Sequence, residues 1–279
     1  MRNWLKDQYV VLTGASGGIG RELCKLLICK YKAKVIGVGR REEKMLSLTA
    51  ELGESSPAFS YRLFDVGSKA DWQAFKADLE EKNIRPALLI NNAGAFPAFA
   101  KATDVPSETV EKIMRTNFLS CVYGVEALSP LLIGQGKFKP AIVNICSSGA
   151  LCTIVGTSSY AASKSAMKGY SEALQLDEID SKYVGIIYPG TTATELFRDD
   201  KNTQNSILDK FAMPASKMAK KVAKAILRRK KRAVLGWDAK LMNFTAKVSP
   251  VTGVRIIRNV MKASKSKVFS EVFGYDNEK

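Results

Sequence analysis

Residues 9–20 read YVVLTGASGGIG, a short apolar run followed by a glycine-rich turn. Beyond this turn, apolar residues recur with helical spacing at Leu23, Leu26, Leu27 and Tyr31. The stretch therefore predicts a strand, a tight turn and a helix. Glycines in the turn would let the backbone approach a pyrophosphate, and the helix N-terminus would offer it free N–H groups and a positive dipole end. An ordinary turn is the alternative, but the position directly after the first strand favours dinucleotide binding.

The rest of the chain alternates between strand-like and helix-like patterns. Strands are predicted at 34–39, 59–64, 87–90, 141–145, 183–187 and 233–235, and helices at 42–52, 70–82, 107–128, 160–180 and 214–231. This alternation is typical of an α/β fold with a doubly wound parallel sheet of the Rossmann type. We therefore expect one domain at 1–236, a basic, amphipathic helical extension at 237–279 and an irregular lid at 191–213.

Composition excludes several classes of function. Histidine is absent, which removes His-based triads and most catalytic zinc sites, and we predict no metal centre. No apolar run reaches about 18 residues and no signal-peptide-like segment precedes the first strand, so neither a membrane span nor a leader is expected. The five cysteines are odd in number and mostly lie in apolar stretches. We interpret them as reduced and buried, which suits the cytoplasm.

Positive charge is concentrated in the C-terminal part of the chain. The formal net charge is +16, and residues 201–279, with 19 Lys and Arg against five Asp and Glu, carry 14 of these charges. Apolar residues are interspersed with the cations, so an anionic membrane surface is one candidate partner. Three alternatives remain open: an apolar side packed on the domain with solvated cations, an anionic carrier such as coenzyme A or acyl carrier protein, and non-specific nucleic acid binding. No specific nucleic acid partner is expected.

The second predicted strand is followed by Arg40 and Arg41. An acidic residue at this position of a nucleotide-binding fold would bind the ribose 2′-hydroxyl, whereas a basic residue favours a 2′-phosphate. We therefore predict NADP(H) rather than NAD(H), with a solvated helix start as the alternative.

Tyr160 and Lys164 lie four residues apart in a predicted helix. This spacing puts both side chains on one face, where the ammonium group would favour the ionised phenol. An unperturbed tyrosine has a pKa of about 10, so we expect the cation to lower the pKa of Tyr160 and make it a proton donor. Taken alone, the pair also fits a solvated helix face.

Several motifs occur in an informative order. The glycine-rich turn at 13–20 is followed by NNAG at 91–94, and then by Ser147, Tyr160 and Lys164. In these motifs the sequence resembles the short-chain dehydrogenase/reductase family over about residues 8–236. The resemblance implies a Rossmann-type fold, a nicotinamide cofactor, interconversion of a carbonyl and a secondary alcohol, and a homo-oligomer, either dimer or tetramer. Because an NADP pool is usually kept reduced, carbonyl reduction is the expected direction.

The resemblance also implies roles for individual residues. Ser147 would bind the substrate carbonyl and Tyr160 would transfer the proton. Lys164 would lower the tyrosine pKa and bind the nicotinamide ribose, and Asn117 would hold a water in the proton relay. The implied cofactor-binding residues are Thr13, Gly14, Ser16, Gly18, Ile19, Gly20, Arg40, Arg41, Asp65, Val66, Asn92, Ala93, Gly94, Tyr160, Lys164, Pro189, Gly190, Thr192 and Thr194.

The resemblance leaves the substrate open. Apolar residues near the expected site would suit a small apolar carbonyl or alcohol substrate such as a steroid, an acyl chain or another lipid, although core packing is the alternative for each residue. These residues are Phe96, Phe99, Leu151, Ile154, Val155, Leu196, Phe197, Phe211 and Met213. The alternative function is a catalytically idle NADP(H)-binding sensor or scaffold, although all four catalytic positions are filled.

Overall fold

A seven-stranded parallel sheet forms the centre of the computed structural model, which describes residues 3–197, 212–266 and 269–275. The strands in chain order are β1 Tyr9–Thr13, β2 Lys34–Gly39, β3 Phe59–Leu63, β4 Leu88–Asn91, β5 Ala141–Ile145, β6 Tyr183–Pro189, β7 Thr192–Ala193, β8 Met213–Pro214 and β9 Arg232–Leu235. The sheet has the order β3-β2-β1-β4-β5-β6-β9, and β7 pairs with β8 outside it. The order reverses between β1 and β4, so a crevice opens at the carboxyl ends of these strands. The predicted doubly wound Rossmann-type fold is confirmed.

Helices cover both faces of the sheet. They are α1 Gly18–Lys25, α2 Glu42–Leu52, α3 Lys69–Glu81, α4 Ser107–Met114, α5 Ser120–Leu128, α6 Ser158–Asp177, α7 Ala215–Leu227, α8 Trp237–Val248, α9 Pro250–Ala263 and α10 Ser270–Phe273. On one face, Leu23 of α1 and Val222 of α7 are buried in the same core. On the other face, Trp72 of α3 and Met167 of α6 are buried. Because it is covered on both sides, β4 is buried along its whole length, which explains its apolar sequence.

The predicted helix at 107–128 has an interruption. It forms α4 and α5, which are separated by a π-helical turn at Arg115–Leu119. This turn contains Asn117, which is completely buried. Wide turns of this kind occur frequently at functional sites, because they change the direction in which side chains leave the helix.

The basic helix predicted at 214–231 is shorter in the structure. Helix α7 ends at Leu227 because Arg229 adopts a left-handed conformation with φ of 49°. The N–H of Arg229 donates to Ile226 O, and that of Lys230 donates to Ala225 O, which completes a helix-ending motif. The cations that follow Leu227 therefore lie beyond the helix.

Part of the predicted lid has regular structure. Thr192 of β7 pairs with Met213 of β8, and a short 3-10 helix occupies Glu195–Phe197. Residues 198–211 of the predicted lid lie outside the described residues. Helix α8 begins two residues after the end of β9. The division of the chain into a domain and an extension at 236/237 remains a prediction.

The prediction that all cysteines are buried is wrong for Cys29, which is exposed. It lies near the end of the helical segment after α1, where Leu27 and Ile28 face the core and Cys29 faces solvent. The other four thiols are buried, and none of the five forms a disulfide. None of the helices in the described ranges has the length and apolar character needed to cross a membrane.

Candidate active site

A cleft of about 700 Å³ lies at the carboxyl ends of the central strands. Its size is within the range of small-molecule and cofactor sites, and it contains most of the residues that the sequence predicts. Those that line it are Gly14, Ser16, Gly18, Ile19, Arg40, Arg41, Asp65, Val66, Asn92, Ala93, Gly94, Ser147, Tyr160, Lys164, Pro189, Gly190, Thr192 and Thr194. Thr13, Gly20 and Asn117 do not line it, and each has a structural role behind the cleft wall.

The glycine-rich turn forms one end of the cleft. Gly14 and Gly18 have positive φ angles of 65° and 48°, which side chains other than glycine rarely adopt. A Cβ atom at Gly18 would lie 2.9 Å from Thr194 Cγ2, so no larger residue fits. Helix α1 begins at Gly18 without a side-chain cap, which leaves its first N–H groups available to an anion. This end of the cleft therefore fits the pyrophosphate of a dinucleotide.

Thr13 and Gly20 support the turn from behind. The Thr13 hydroxyl accepts hydrogen bonds from the N–H groups of Asn92 and Ala93, both at 2.9 Å, and so ties the ends of β1 and β4 together. A Cβ atom at Gly20 would lie 2.0 Å from Gly14 O, so α1 can pack this closely only with glycine. The structure gives these two residues a supporting role, and their direct contact with a cofactor remains a prediction.

Positive charge surrounds the position that follows β2. Arg40 and Arg41 are both exposed at the cleft. The Glu195 carboxylate lies 3.8 Å from Arg41 Nη2 and also accepts a hydrogen bond from Lys44. Sequence reasoning missed Lys44, although its position one helical turn after Arg41 places both cations on the same side of α2. These cations could bind a phosphate at the place that the Glu195 carboxylate approaches.

Tyr160 and Ser147 lie at the other end of the cleft. Tyr160 is 6% exposed, and its hydroxyl forms a hydrogen bond with the Ser147 side chain. The Ser147 oxygen also accepts a hydrogen bond from Gly149 N at 3.1 Å, which fixes its orientation. Burial raises the pKa of Tyr160 to about 12, and the hydrogen bond with Ser147 opposes this shift.

The expectation that Lys164 lowers the pKa of Tyr160 is wrong for this structure. Lys164 is 3% exposed, and its Nζ donates to Ile145 O at 3.1 Å rather than to the phenol. Burial also lowers the pKa of Lys164 itself, because the ammonium group is removed from water. The position of Tyr160 and Lys164 on one face of α6 therefore does not by itself favour the phenolate. Burial, which removes the phenol from water, has the larger effect on the pKa of Tyr160.

Asn117 holds the segment after β4 in place. Its Oδ1 accepts from Ala95 N at 2.7 Å, and its Nδ2 donates to Ala95 O at 2.9 Å and to Ser163 Oγ at 3.0 Å. The π-helical turn thus connects the cleft wall at Ala95 to α6. The Asn117 amide lies close to Gly94, where an added Cβ would be 3.3 Å from Oδ1 and 3.6 Å from Lys164 Nζ. A contact between Asn117 and a relay water remains a prediction.

A row of aromatic rings extends from Tyr160 to the C-terminal part of the chain. The ring centroids of Phe96 and Tyr160 are 5.1 Å apart, and those of Phe96 and Phe99 are 4.8 Å apart. Phe99 in turn contacts Phe269 at 5.1 Å. Ile154 and Val155 pack on the same cluster, as do Val272, Met261 and Phe273. Sequence reasoning missed the contribution of Phe269, because 170 residues separate it from Phe99.

The other candidate substrate residues have different positions. Leu196 lines the cleft, whereas Leu151 and Met213 pack against the two cores of the sheet. The Phe197 side chain and Phe211 lie outside the described part of the structure. Of the predicted apolar wall, Phe96 and Leu196 line the cleft, and Phe99, Ile154 and Val155 pack in the cluster with Phe96.

Comparison with known proteins identifies relatives across most of the chain. A family model described as short chain dehydrogenase matches residues 8–205. The uncharacterized oxidoreductase YxnA of Bacillus subtilis is 30% identical over 274 residues, which cover 94% of this chain and 74% of the relative. An NADPH-dependent pterin aldehyde reductase of Arabidopsis thaliana is 30% identical over 187 residues, 67% of this chain and 76% of the relative.

Solved structures share the fold. A short chain dehydrogenase from Shigella flexneri, complexed with NADP, aligns with a TM-score of 0.74 at 23% identity and covers 84% of this chain and 98% of its own. A short chain dehydrogenase/reductase from Burkholderia phymatum, in complex with NAD, aligns with a TM-score of 0.75 at 20% identity. The alignment covers 92% of this chain and 97% of the Burkholderia chain. At these identities the likeness concerns the fold alone.

Proposed function

The chain belongs to the short-chain dehydrogenase family, and from that premise we propose that it is an NADP(H)-dependent oxidoreductase that interconverts a carbonyl and a secondary alcohol. The observation that carries this proposal is the position of Ser147, Tyr160 and Lys164 in the cleft whose other end is the glycine-rich turn. A dinucleotide bound between these ends would place its nicotinamide near Tyr160. When bound, it would supply or accept the hydride.

The protein side of the reaction concerns one proton. With a pKa of about 12, Tyr160 carries its proton at neutral pH and suits donation to a carbonyl oxygen, which is the direction of reduction. Ser147 already forms a hydrogen bond with Tyr160, so a carbonyl oxygen that approached both hydroxyl groups would exchange this bond for two to itself. Lys164 would bind the nicotinamide ribose beside Tyr160. Asn117 would hold the surrounding segment in place.

The preference for NADP(H) is supported by the cations after β2. Arg40 and Arg41 line the cleft, and Lys44 pairs with the cleft residue Glu195 beside them. Together these cations fit a 2′-phosphate, and positions 40 and 41 lack the carboxylate that would bind a free 2′-hydroxyl. The related structures contain both NADP and NAD, so this preference rests on the chain's own residues. We expect Arg40→Ala to weaken NADPH binding by about tenfold and to leave NADH binding little affected. This value is at the lower end of the range for a charge-assisted hydrogen bond, because the Arg40 side chain is exposed. Preference of the unmodified protein for NADH would contradict this assignment.

The proposed substrate is an apolar ketone, of steroid, acyl or other lipid type. Its support is the aromatic and aliphatic cluster of Phe96, Phe99, Ile154 and Val155 beside the Tyr160 ring. Apolar walls with a few polar groups are typical of small-molecule sites. The four buried cysteines and the lack of disulfides support a cytoplasmic location. Family membership favours a homo-oligomer, and the basic C-terminal part would bring the activity to an anionic membrane surface.

The deciding experiment measures NADPH oxidation with a panel of apolar ketones. Tyr160→Phe preserves the shape of the ring and removes the proton donor, so turnover should fall by about 10²–10⁴-fold while NADPH binding is nearly unchanged. Tyr170→Phe on the same helix is the matched control and should retain turnover. If the unmodified protein binds NADPH but reduces no ketone, the alternative of an idle sensor or scaffold is favoured. If Tyr160→Phe retains most of the activity, the proposed mechanism is wrong.

A further inference from the structure

Exposed apolar side chains are concentrated on the two C-terminal helices α8 and α9. In the described part of the chain, twelve large apolar side chains are exposed, and seven of them lie within residues 237–260. These seven are Trp237, Leu241, Phe244, Val248, Val251, Ile256 and Val260. Their exposed fractions range from 52% to 67%. Scattered exposed apolar residues need no explanation, but seven on two successive helices indicate a surface that binds something.

The four exposed residues of α8 form one stripe. Trp237, Leu241, Phe244 and Val248 are spaced by four, three and four residues, so they project from one side of the helix. The helix contacts the domain through its opposite side, where Ala239 is completely buried. This is the reverse of an ordinary surface helix, which turns its large apolar residues inwards.

Helix α9 packs against α8 and carries the other three exposed apolar residues. The two helices pack closely where Gly253 meets Thr245, since an added Cβ on Gly253 would lie 2.9 Å from Thr245 O. Through Met261, the inner side of α9 reaches the aromatic cluster of Phe99 and Phe269. We call α8 and α9, residues 237–263, the docking helices.

The charges on the docking helices are almost all positive. The exposed cations are Lys240, Lys247, Arg255, Arg258 and Lys262. Lys240 and Lys247 flank the apolar stripe of α8 on the same side, because they are seven residues apart. The only carboxylate of the two helices, that of Asp238, accepts a hydrogen bond from Thr191 N at 2.5 Å and so faces the domain.

We propose that the docking helices bind to the surface of an anionic membrane, with the apolar stripe in the headgroup region and the cations at the lipid phosphates. Charge selects this occupant over the others. A symmetric pairing of two copies of the chain would bring like cations together. A nucleic acid would match the cations, but it would leave four large apolar side chains of α8 in water. An anionic bilayer satisfies both the stripe and its basic flank.

The docking helices are physically connected to the candidate active site. Asp238 holds the backbone of Thr191, which precedes the cleft residues Thr192 and Thr194. Phe269 follows α9 in the chain and contacts Phe99, at the start of the aromatic row to Tyr160. A ketone dissolved in the bilayer would then reach an apolar wall close to the membrane. This last step rests on the proposed function, whereas membrane binding itself does not.

The first test is sedimentation of the full-length protein with vesicles of phosphatidylcholine, with and without phosphatidylglycerol. We expect binding only to the anionic vesicles, and release as salt rises from about 0.01 M to about 1 M, where screening becomes nearly complete. Lys240→Glu with Lys247→Glu should weaken binding by at least about 25-fold, since each cation near an anionic surface contributes about fivefold. Lys220→Glu with Lys221→Glu on α7 changes the net charge equally and should weaken binding by less than about threefold.

The apolar stripe is tested by a matched pair of double variants. Leu241→Ser with Phe244→Ser should weaken binding by about tenfold or more. Leu176→Ser with Ile179→Ser replaces side chains of similar exposure in the last turn of α6 and just beyond it, and should leave binding unchanged. Unchanged NADPH binding in every variant establishes that the fold is retained, and because none of these assays requires turnover, they are independent of the proposed reaction.

Tryptophan fluorescence reports the contact directly. Of the three tryptophans, Trp4 and Trp72 are 2% and 0% exposed, whereas Trp237 is 58% exposed at the start of the stripe. We expect a blue shift on addition of anionic vesicles, quenching by brominated lipid, and loss of both signals in Trp237→Phe. Three outcomes would overturn the proposal: no binding to anionic vesicles at low salt, binding that is insensitive to the Leu241 and Phe244 changes, or self-association through the stripe without vesicle binding.

Discussion

Replacement of Asn117 by leucine would test how the π-helical turn supports the active site. Leucine has a similar size, so the main loss is the three hydrogen bonds that connect Asn117 to Ala95 and Ser163. Ser163 keeps a bond, because its hydroxyl donates to Tyr160 O at 2.7 Å. The N–H and the carbonyl group of Ala95 are thus the two groups that lose their partner.

The expected magnitude follows from these two backbone groups. A buried polar group without a partner costs about 1–3 kcal/mol, which gives about 2–6 kcal/mol for the pair. Ala95 also lines the cleft, from which water can reach one of the groups. We therefore expect the free energy of unfolding to fall by about 2–4 kcal/mol, and Tm by about 4–16 °C.

Urea denaturation followed by circular dichroism measures this change, and NADPH titration measures its effect on the cleft. Asn259→Leu is the control, because Asn259 is exposed on α9 and its replacement should change the free energy of unfolding by less than about 0.5 kcal/mol. A loss below about 1 kcal/mol in Asn117→Leu would refute the idea that these hydrogen bonds hold the segment. NADPH binding should weaken in parallel, since Gly94 and Ala95 are part of the cleft wall.

Three further predictions concern other parts of the molecule. Because Cys29 is the exposed thiol and burial raises the pKa values of the other four, a thiol reagent should modify one cysteine rapidly in the folded protein and five after unfolding, and Cys29→Ser should abolish the rapid reaction. Hydrogen bonds from Lys82 and Arg62 hold the pKa of Asp78 below its ordinary value, so its stabilisation is present above the unfolded pKa of about 3.9 and is lost as pH falls through the folded pKa. Asp78→Asn should therefore lower the free energy of unfolding in urea by up to about 1 kcal/mol at about pH 7, and by progressively less as the pH falls below about 3.9. Phe269→Ala should raise the KM for an apolar ketone by about tenfold or more, because the Phe269 ring packs against Phe99. Phe269→Leu should keep the KM close to that of the unmodified protein. An unchanged KM in Phe269→Ala would show that Phe269 does not support the substrate wall.

Local signals predicted the elements around the cleft with useful accuracy. Strand β2 and helix α2 have the predicted bounds, 34–39 and 42–52, and β5 has those predicted at 141–145. Apolar runs bounded by glycine or polar residues determine these elements, and their neighbours in the chain are enough to specify them. The end of α7 was predicted less well, because it depends on the left-handed backbone conformation of Arg229, which no sequence pattern predicts.

Most cleft residues were also predictable, because the loops after parallel strands meet at one edge of the sheet whatever the rest of the chain does. Lys44 was missed although its spacing from Arg41 carried the signal. The sign of the Tyr160 pKa shift was wrong, because the helical spacing of Tyr160 and Lys164 reports neither burial nor the direction in which the lysine points.

The sequence by itself thus determined the fold class, the position of the cofactor turn and the family. Only the tertiary structure decided that Asn117 bonds to Ala95, that Phe269 closes the row of rings leading to Tyr160, and that α8 turns its large apolar residues outwards. The physical reason is that periodicity depends on neighbours within a few residues. Burial, desolvation and the orientation of a helix face depend on segments that are far apart in the chain and meet only when it folds.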